Sequence, residues 1–135
     1  MRVLFVNRFY WPETPATGQL LTDLASGLAA MGHEIVVVTA AHREGISRDE
    51  VCSGARILRV VGQPRSRAAK FWAFLLFHLA AALTVLRRAR RGDAVVVMTD
   101  PPLIGVSAGV AALFRGAKLI HWLQDIYPEI AVALT

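Results

Sequence analysis

Arg2–Asn7 reads RVLFVN, Ile35–Thr39 reads IVVVT and Ala94–Thr99 reads AVVVMT. Short apolar runs rich in Val, without polar alternation, are the signature of strands buried on both faces. Between the first two runs, Leu20, Leu21, Leu24, Ala25, Leu28 and Ala29 recur at helical spacing. Gly32 follows, where a helix C-cap favours glycine. Ile57–Val61 and Lys118–Gln124 (KLIHWLQ) read as two further strands. Helices are expected from about Arg67 to Arg91 and over Leu103–Phe114, the second weakened by its two glycines. Pro128 fits the first turn of another helix. Ala40–Ala55 and Gln63–Arg67 read as loops. Strands alternating with helices predict an α/β, Rossmann-like, doubly wound parallel sheet with helices on both faces. The expected spatial order is third, second, first, fourth, fifth strand. Ligands of such sheets bind at the carboxyl ends of the strands, where the order reverses. That draws attention to Asn7–Gly18, Thr99–Pro102 and Gln124–Pro128.

Composition narrows the class. With 135 residues, 55% of them apolar, the chain suits one domain with a real core and excludes disorder. A net charge of +5 suits acidic partners such as phosphates, nucleotides, anionic lipid or nucleic acid, without choosing among them. The lone cysteine, Cys52, rules out an intrachain disulfide and fits a reducing compartment. No cluster of Cys and His suggests a metal, and no metal site is expected. The basic residues flank an apolar helix rather than forming a nucleic-acid reader motif, so no nucleic-acid partner is expected.

The N-terminus has too few apolar residues before Asn7 and Arg8 for a signal peptide. Phe71–Leu86 (FWAFLLFHLAAALTVL) is 16 residues long and interrupted by His78 and Thr84. A spanning helix needs about 20. The segment therefore reads as a core helix or one lying on a membrane surface. Arg65, Arg67 and Lys70 precede it, and Arg87, Arg88, Arg90 and Arg91 follow.

The loop after the first strand, NRFYWPETPATG, has one glycine, Gly18, instead of the G-x-G-x-x-G of dinucleotide-binding folds. The second strand ends TAAH, with no acid to hold a ribose. Both features argue against NAD or FAD. Gly18 at the start of a helix still suits an anion, because free N–H groups and the helix dipole favour negative charge there. Thr14 and Thr17 equally fit helix caps. Arg8, Tyr10 and Trp11 form a basic and aromatic patch beside the crevice. Asp100, in Thr99-Asp100-Pro101-Pro102, fits either a helix cap or an acceptor for a substrate hydroxyl. Asp125, in Gln124-Asp125-Ile126-Tyr127-Pro128-Glu129, fits either a cap of the Pro128 helix or a group that meets a sugar hydroxyl, and Glu129 fits a dipole partner. His121 reads as a core residue rather than a base.

Together these segments resemble a known family. Residues 2–40, RVLFVNRFYWPETPATGQLLTDLASGLAAMGHEIVVVTA, resemble the opening of glycosyltransferase family 4 enzymes, which share the two-domain GT-B fold. The segment GDAVVVMTDPPLIGVSAGVAALFRGAKLIHWLQDIYPE resembles a branch that often builds bacterial surface polysaccharides. The resemblance implies that Thr17-Gly18 faces the donor diphosphate, at a turn where relatives often carry two glycines. It aligns Gln124, with Asp125 beside it, with the histidine that many relatives use catalytically. Arg8, Tyr10, Asp100 and Glu129 would line the acceptor crevice. Phe71–Leu86 matches a helix that approaches the cytoplasmic membrane surface.

The expectation is the N-terminal, acceptor-side part of a GT-B enzyme, truncated within that domain, with the C-terminal donor-binding domain absent. The whole enzyme would move a sugar from a nucleotide-sugar donor, a substrate and not a cofactor, to a saccharide or lipid-linked acceptor with retention. It would work in the cytoplasm, peripherally at the inner face of the plasma membrane. The alternative is a non-catalytic membrane-associated subunit or anchor that docks a separate donor-binding chain.

Overall fold

The computed structural model describes residues 1–12, 16–41, 45–62, 66–99, 101 and 103–123. The element order is β1 (Arg2–Val6), α1 (Ala16–Ala30), β2 (Glu34–Thr39), β3 (Asp49–Cys52), β4 (Ala55–Arg59), α2 (Arg67–Arg88), β5 (Ala94–Val97), α3 (Ile104–Phe114) and β6 (Lys118–His121). They build one six-stranded sheet in the order β3-β4-β2-β1-β5-β6. β1 lies at its centre, with Val3 in register with Ile35 of β2 and Ala94 of β5. All pairings are parallel except β3 with β4.

The expected five-strand order is present, and β3 is an addition to it. Asp49–Cys52 falls inside the stretch read as irregular loop. Ser53 and Gly54, at φ +51° and +82°, make the two-residue turn that joins β3 to β4. Two positive φ angles match a turn to the strand twist of a hairpin, and glycine at the second position removes half the steric cost.

Strand alternation divides the core in two. Leu4, Val6, Val36, Val38, Val95 and Val97 face α2 and α3. Val3, Phe5, Ile35, Val37, Val96 and Met98 face α1. Helices on opposite faces follow from right-handed crossovers that run in opposite directions along the sheet, β1 to β2 through α1 and β4 to β5 through α2. Among the described helices only α1 covers the second face. An apolar trough of about 410 Å³, between Leu24 and Leu28 of α1 and Ile120 and Trp122 beyond it, stays open to solvent.

Local chemistry sets the helix ends. Gly32, at φ +93°, closes α1: its N–H donates to Ala29 O, and the His33 N–H donates to Leu28 O. Ser66 caps α2, its Oγ accepting from the Ala69 N–H at 3.1 Å. The two glycines of α3 have a packing role. A side chain at Gly105 would meet the His121 ring at 3.0 Å, and one at Gly109 would meet Leu119 at 2.9 Å. They let β6 lie close under the helix.

Candidate functional site

The crevice begins where β1 ends. Asn7 is fully buried, and its Nδ2 donates to Phe9 O at 2.8 Å. Arg8 is tied to β2 by its carbonyl, which accepts from Thr39 Oγ1 at 2.9 Å and Ala40 N at 3.2 Å. The Arg8 guanidinium lies 4.7 Å from the Phe9 ring centroid. Trp11 N donates to Thr22 Oγ1, and that hydroxyl donates to Gly18 O at 2.7 Å. The loop is thus laced to the first turns of α1.

Gly18 is buried in the first turn of α1, with Thr17 half-buried beside it. A Cβ on Gly18 would lie 3.1 Å from Phe9 Cβ and 3.2 Å from the Phe9 carbonyl carbon. The absent side chain lets the loop backbone close onto the helix. This requirement holds whatever binds there, so loss of activity on replacing Gly18 would not by itself locate a diphosphate.

Arg59 is a site feature absent from the sequence reading. It ends β4 with 3% of its surface exposed. Its guanidinium donates to Glu50 Oε1 of β3, to Ser47 O at 2.8 Å and to Trp11 O at 2.9 Å. The extra strand therefore holds a charge that fixes the crevice loop. Beside it Tyr10 is 2% exposed. Burial pushes its phenol up to about 12, the thiol of Cys52 adding to the shift and the Arg59 guanidinium opposing it. The only signal for this arrangement was Ser53-Gly54, a hairpin dipeptide inside an apparent loop.

At the neighbouring strand end, Thr99 is 8% exposed, two residues past the end of β5. Leu103 starts α3 at φ +65°, a left-handed conformation that costs a branched side chain about 1 kcal/mol. Among the described residues, Asn7 Oδ1 and Thr99 Oγ1 are buried side-chain polar atoms without a hydrogen-bond partner. Both stand at the carboxyl ends of β1 and β5, where the strand order reverses. Orphan buried polar atoms are rare and costly, about 1–3 kcal/mol each, and a ligand's polar groups would satisfy them.

A cavity of about 370 Å³ opens beside this point, on the α2 side. Arg8 and Lys70 supply its charge, and Val61, Phe74, Phe77 and Pro101 its apolar walls. Beyond it, α2 buries Phe77, Ala81 and Val85 against the sheet. Its other face is bare: Phe71 is 60% exposed, Trp72 61% and Leu79 58%. α2 is long and apolar enough to cross a bilayer, but the face packed on the sheet makes it part of this domain. It is not the enclosed core helix that one sequence reading allowed. α3 adds a parallel bare stripe of Leu103, Val106, Val110 and Leu113. Where the two helices touch, Ser107 Oγ lies 2.8 Å from His78 Nδ1.

The structure brings Arg8, Tyr10, Thr17 and Gly18 of the expected site to one edge of the sheet, with Tyr10 and Gly18 packed inward. Gln124, Asp125, Asp100 and Glu129 lie outside the described residues. His121 is exposed on the edge strand, against Gly105. Among the described residues no three His, Cys, Asp or Glu side chains converge as a metal would require.

No curated protein matches the chain. The family described as "Glycosyl transferase 4-like domain" matches residues 17–133, from the first turn of α1 past the end of β6. That span takes in most of the sheet and every described helix but the first residue of α1. With its Rossmann-like α/β sheet, the chain belongs to the glycosyl transferase 4-like domain family.

Proposed function

We propose that this domain is the acceptor-side half of a two-domain GT-B glycosyltransferase. The whole enzyme transfers a sugar from a nucleotide-sugar donor to a saccharide or lipid-linked acceptor in cell-surface polysaccharide synthesis, with retention. The observation that carries the reading is the pairing of Asn7 Oδ1 and Thr99 Oγ1, buried and unsatisfied, at the reversal of the strand order. Sugars and diphosphates carry the hydroxyls and oxygens that would complete them. In this reading the α1 N-terminus meets the donor diphosphate near Thr17 and Gly18 and stabilises the leaving charge. Asp125 and Gln124 act at the sugar, while Asp100 and Glu129 complete the acceptor side with Arg8, and Tyr10, buried against α1, anchors the loop that carries Arg8. In a GT-B enzyme the donor half is a C-terminal domain.

The bare apolar face of α2 and its basic ends support seating at the inner face of the plasma membrane. Cations near an anionic surface contribute about 1 kcal/mol each and are screened by salt. The same face favours a second reading, in which the chain is a non-catalytic membrane anchor for a separate donor-binding chain.

Sugar transfer by the longer enzyme separates the two. In the glycosyltransferase reading, Asp125→Asn lowers turnover by at least tenfold and more than Glu129→Gln does. Residues 1–135 alone transfer nothing. Full turnover in the Asp125→Asn enzyme, or transfer by the 135-residue chain, overturns the reading. Co-sedimentation with anionic but not neutral vesicles, weakened by salt, tests the membrane seat that both readings share.

A further inference from the structure

We infer that the cavity between β1 and α2 holds the phosphate-bearing head of a membrane amphiphile, with Lys70 and Arg8 on the phosphate and the start of the apolar tail between Val61, Phe74 and Phe77. The inference rests on the acceptor-side reading above and deepens it by placing a lipid-linked acceptor.

Three independent features converge. The first is charge. No acidic residue occurs between Glu50 and Asp93, a stretch with nine Lys and Arg. The first turn of α2 holds Arg67 and Lys70 and no acid. Cations at a helix N-terminus oppose the helix dipole, so they do not serve the helix. Both the dipole and Lys70 favour an anion at this point, and Lys70 lines the cavity. The second is shape. A volume of about 370 Å³ is at the small end for ligand sites, about 300–1,000 Å³. It suits a head group and the first carbons of a chain, not a whole lipid. The walls supplied by Val61, Ala73, Phe74 and Phe77 are apolar, which a free phosphate or a bare sugar would not use.

The third is position. Phe74 and Phe77 face the cavity while Phe71, Trp72, Leu75 and Leu76 on the same two turns are exposed. A molecule whose head occupies the cavity can therefore leave its tail in a bilayer on which α2 lies. The α1 N-terminus approaches from the opposite face of the sheet. A donor diphosphate there and an acceptor phosphate here would not compete, and the crevice between β1 and β5 would lie between them.

The test titrates the purified chain with geranyl diphosphate, a soluble probe joining a diphosphate to one short apolar chain. Inorganic pyrophosphate and geraniol serve as its separate parts. Geranyl diphosphate is expected to bind at least tenfold more tightly than either part. Lys70→Met should weaken it at least fivefold, and Ala73→Leu, which fills the cavity without breaking the helix, should abolish it. Equal affinity for pyrophosphate would make this an anion site for free phosphate and overturn the inference. Equal affinity for geraniol, or no effect of either substitution on a folded chain, would overturn it too. In the longer enzyme, Lys70→Met should raise the KM for acceptor and leave the KM for donor. Sugar transfer with an unchanged acceptor KM sinks the cavity assignment alone. Binding as described, in an enzyme that transfers no sugar, sinks the transferase reading alone.

Discussion

The two edges of this sheet handle buried polarity in opposite ways. At the amino edge, Arg2 is nearly covered and fully engaged. Its Nη1 donates to Asp93 Oδ2 at 2.9 Å and to Arg88 O, and its Nε to Glu34 Oε1 at 3.2 Å. Asp93 Oδ2 also accepts from the Arg90 N–H at 2.8 Å. At the carboxyl edge, Asn7 Oδ1 and Thr99 Oγ1 are equally buried and have no partner. The side chains that do pair there, Asn7 Nδ2 and Arg59, hold backbone carbonyls of the crevice loop. One edge is finished by the chain itself. The other is built to a fixed shape and left for something else to complete.

The largest expected effect lies at the finished edge. Arg2→Met removes one partner of a buried pair and leaves the Asp93 carboxylate short of its cation, which should cost about 3 kcal/mol of stability. Urea denaturation measures it, and a loss below about 1 kcal/mol would show that the amino edge is not held by this pair. Arg59→Met should cost about 2 kcal/mol. It should also speed amide exchange at Trp11, whose carbonyl loses its donor. Unaltered exchange there would mean that β3 and Arg59 do not brace the loop.

Next in size is a pH effect. Tyr10 stays neutral in the fold up to about 12 but ionises near 10 when unfolded. A raised folded value means that its contribution is intact below pH 10 and drains away as pH rises from 10 through about 12. Tyr10→Phe should flatten that decline, and an equally steep fall in the variant would refute the assignment. The smallest effect is the most telling for the comparison. Thr99→Val removes an unsatisfied hydroxyl at constant shape, so stability should hold within about 0.5 kcal/mol or rise slightly. A loss above 1 kcal/mol would reveal a partner for that hydroxyl and end its claim to be open for a ligand.

The sheet was legible because parallel strands buried on both faces leave unbroken runs of Val, Ile and Leu, as in Ile35–Thr39 and Ala94–Val97. β3 was not, because DEVC is an edge strand with exposed and half-buried residues and no apolar run. Gly105 and Gly109 read as helix-weakening residues because their reason, the approach of His121 and Leu119, exists only after β6 has packed. Gly18 at a helix start suits an anion, and nothing in the sequence marks that Phe9 closes on it. Arg59 looked like any strand end; its burial depends on a hairpin that periodicity does not mark. For the site, periodicity located the right edge of the sheet. It did not separate residues that shape the crevice from those that face it.

The contrast between the edges has one direct test. Backbone amide shifts of the isotopically labelled 135-residue chain are followed while inorganic pyrophosphate, the charged part of a nucleotide-sugar donor, is added. Shifts should concentrate at Asn7–Trp11, Ala16–Gln19 and Thr99, with Arg2, Glu34, Arg56 and Asp93 unmoved, if the carboxyl edge is the one open to a ligand. Shifts centred instead on the basic amino edge around Arg2, Arg56 and Arg88 would contradict it.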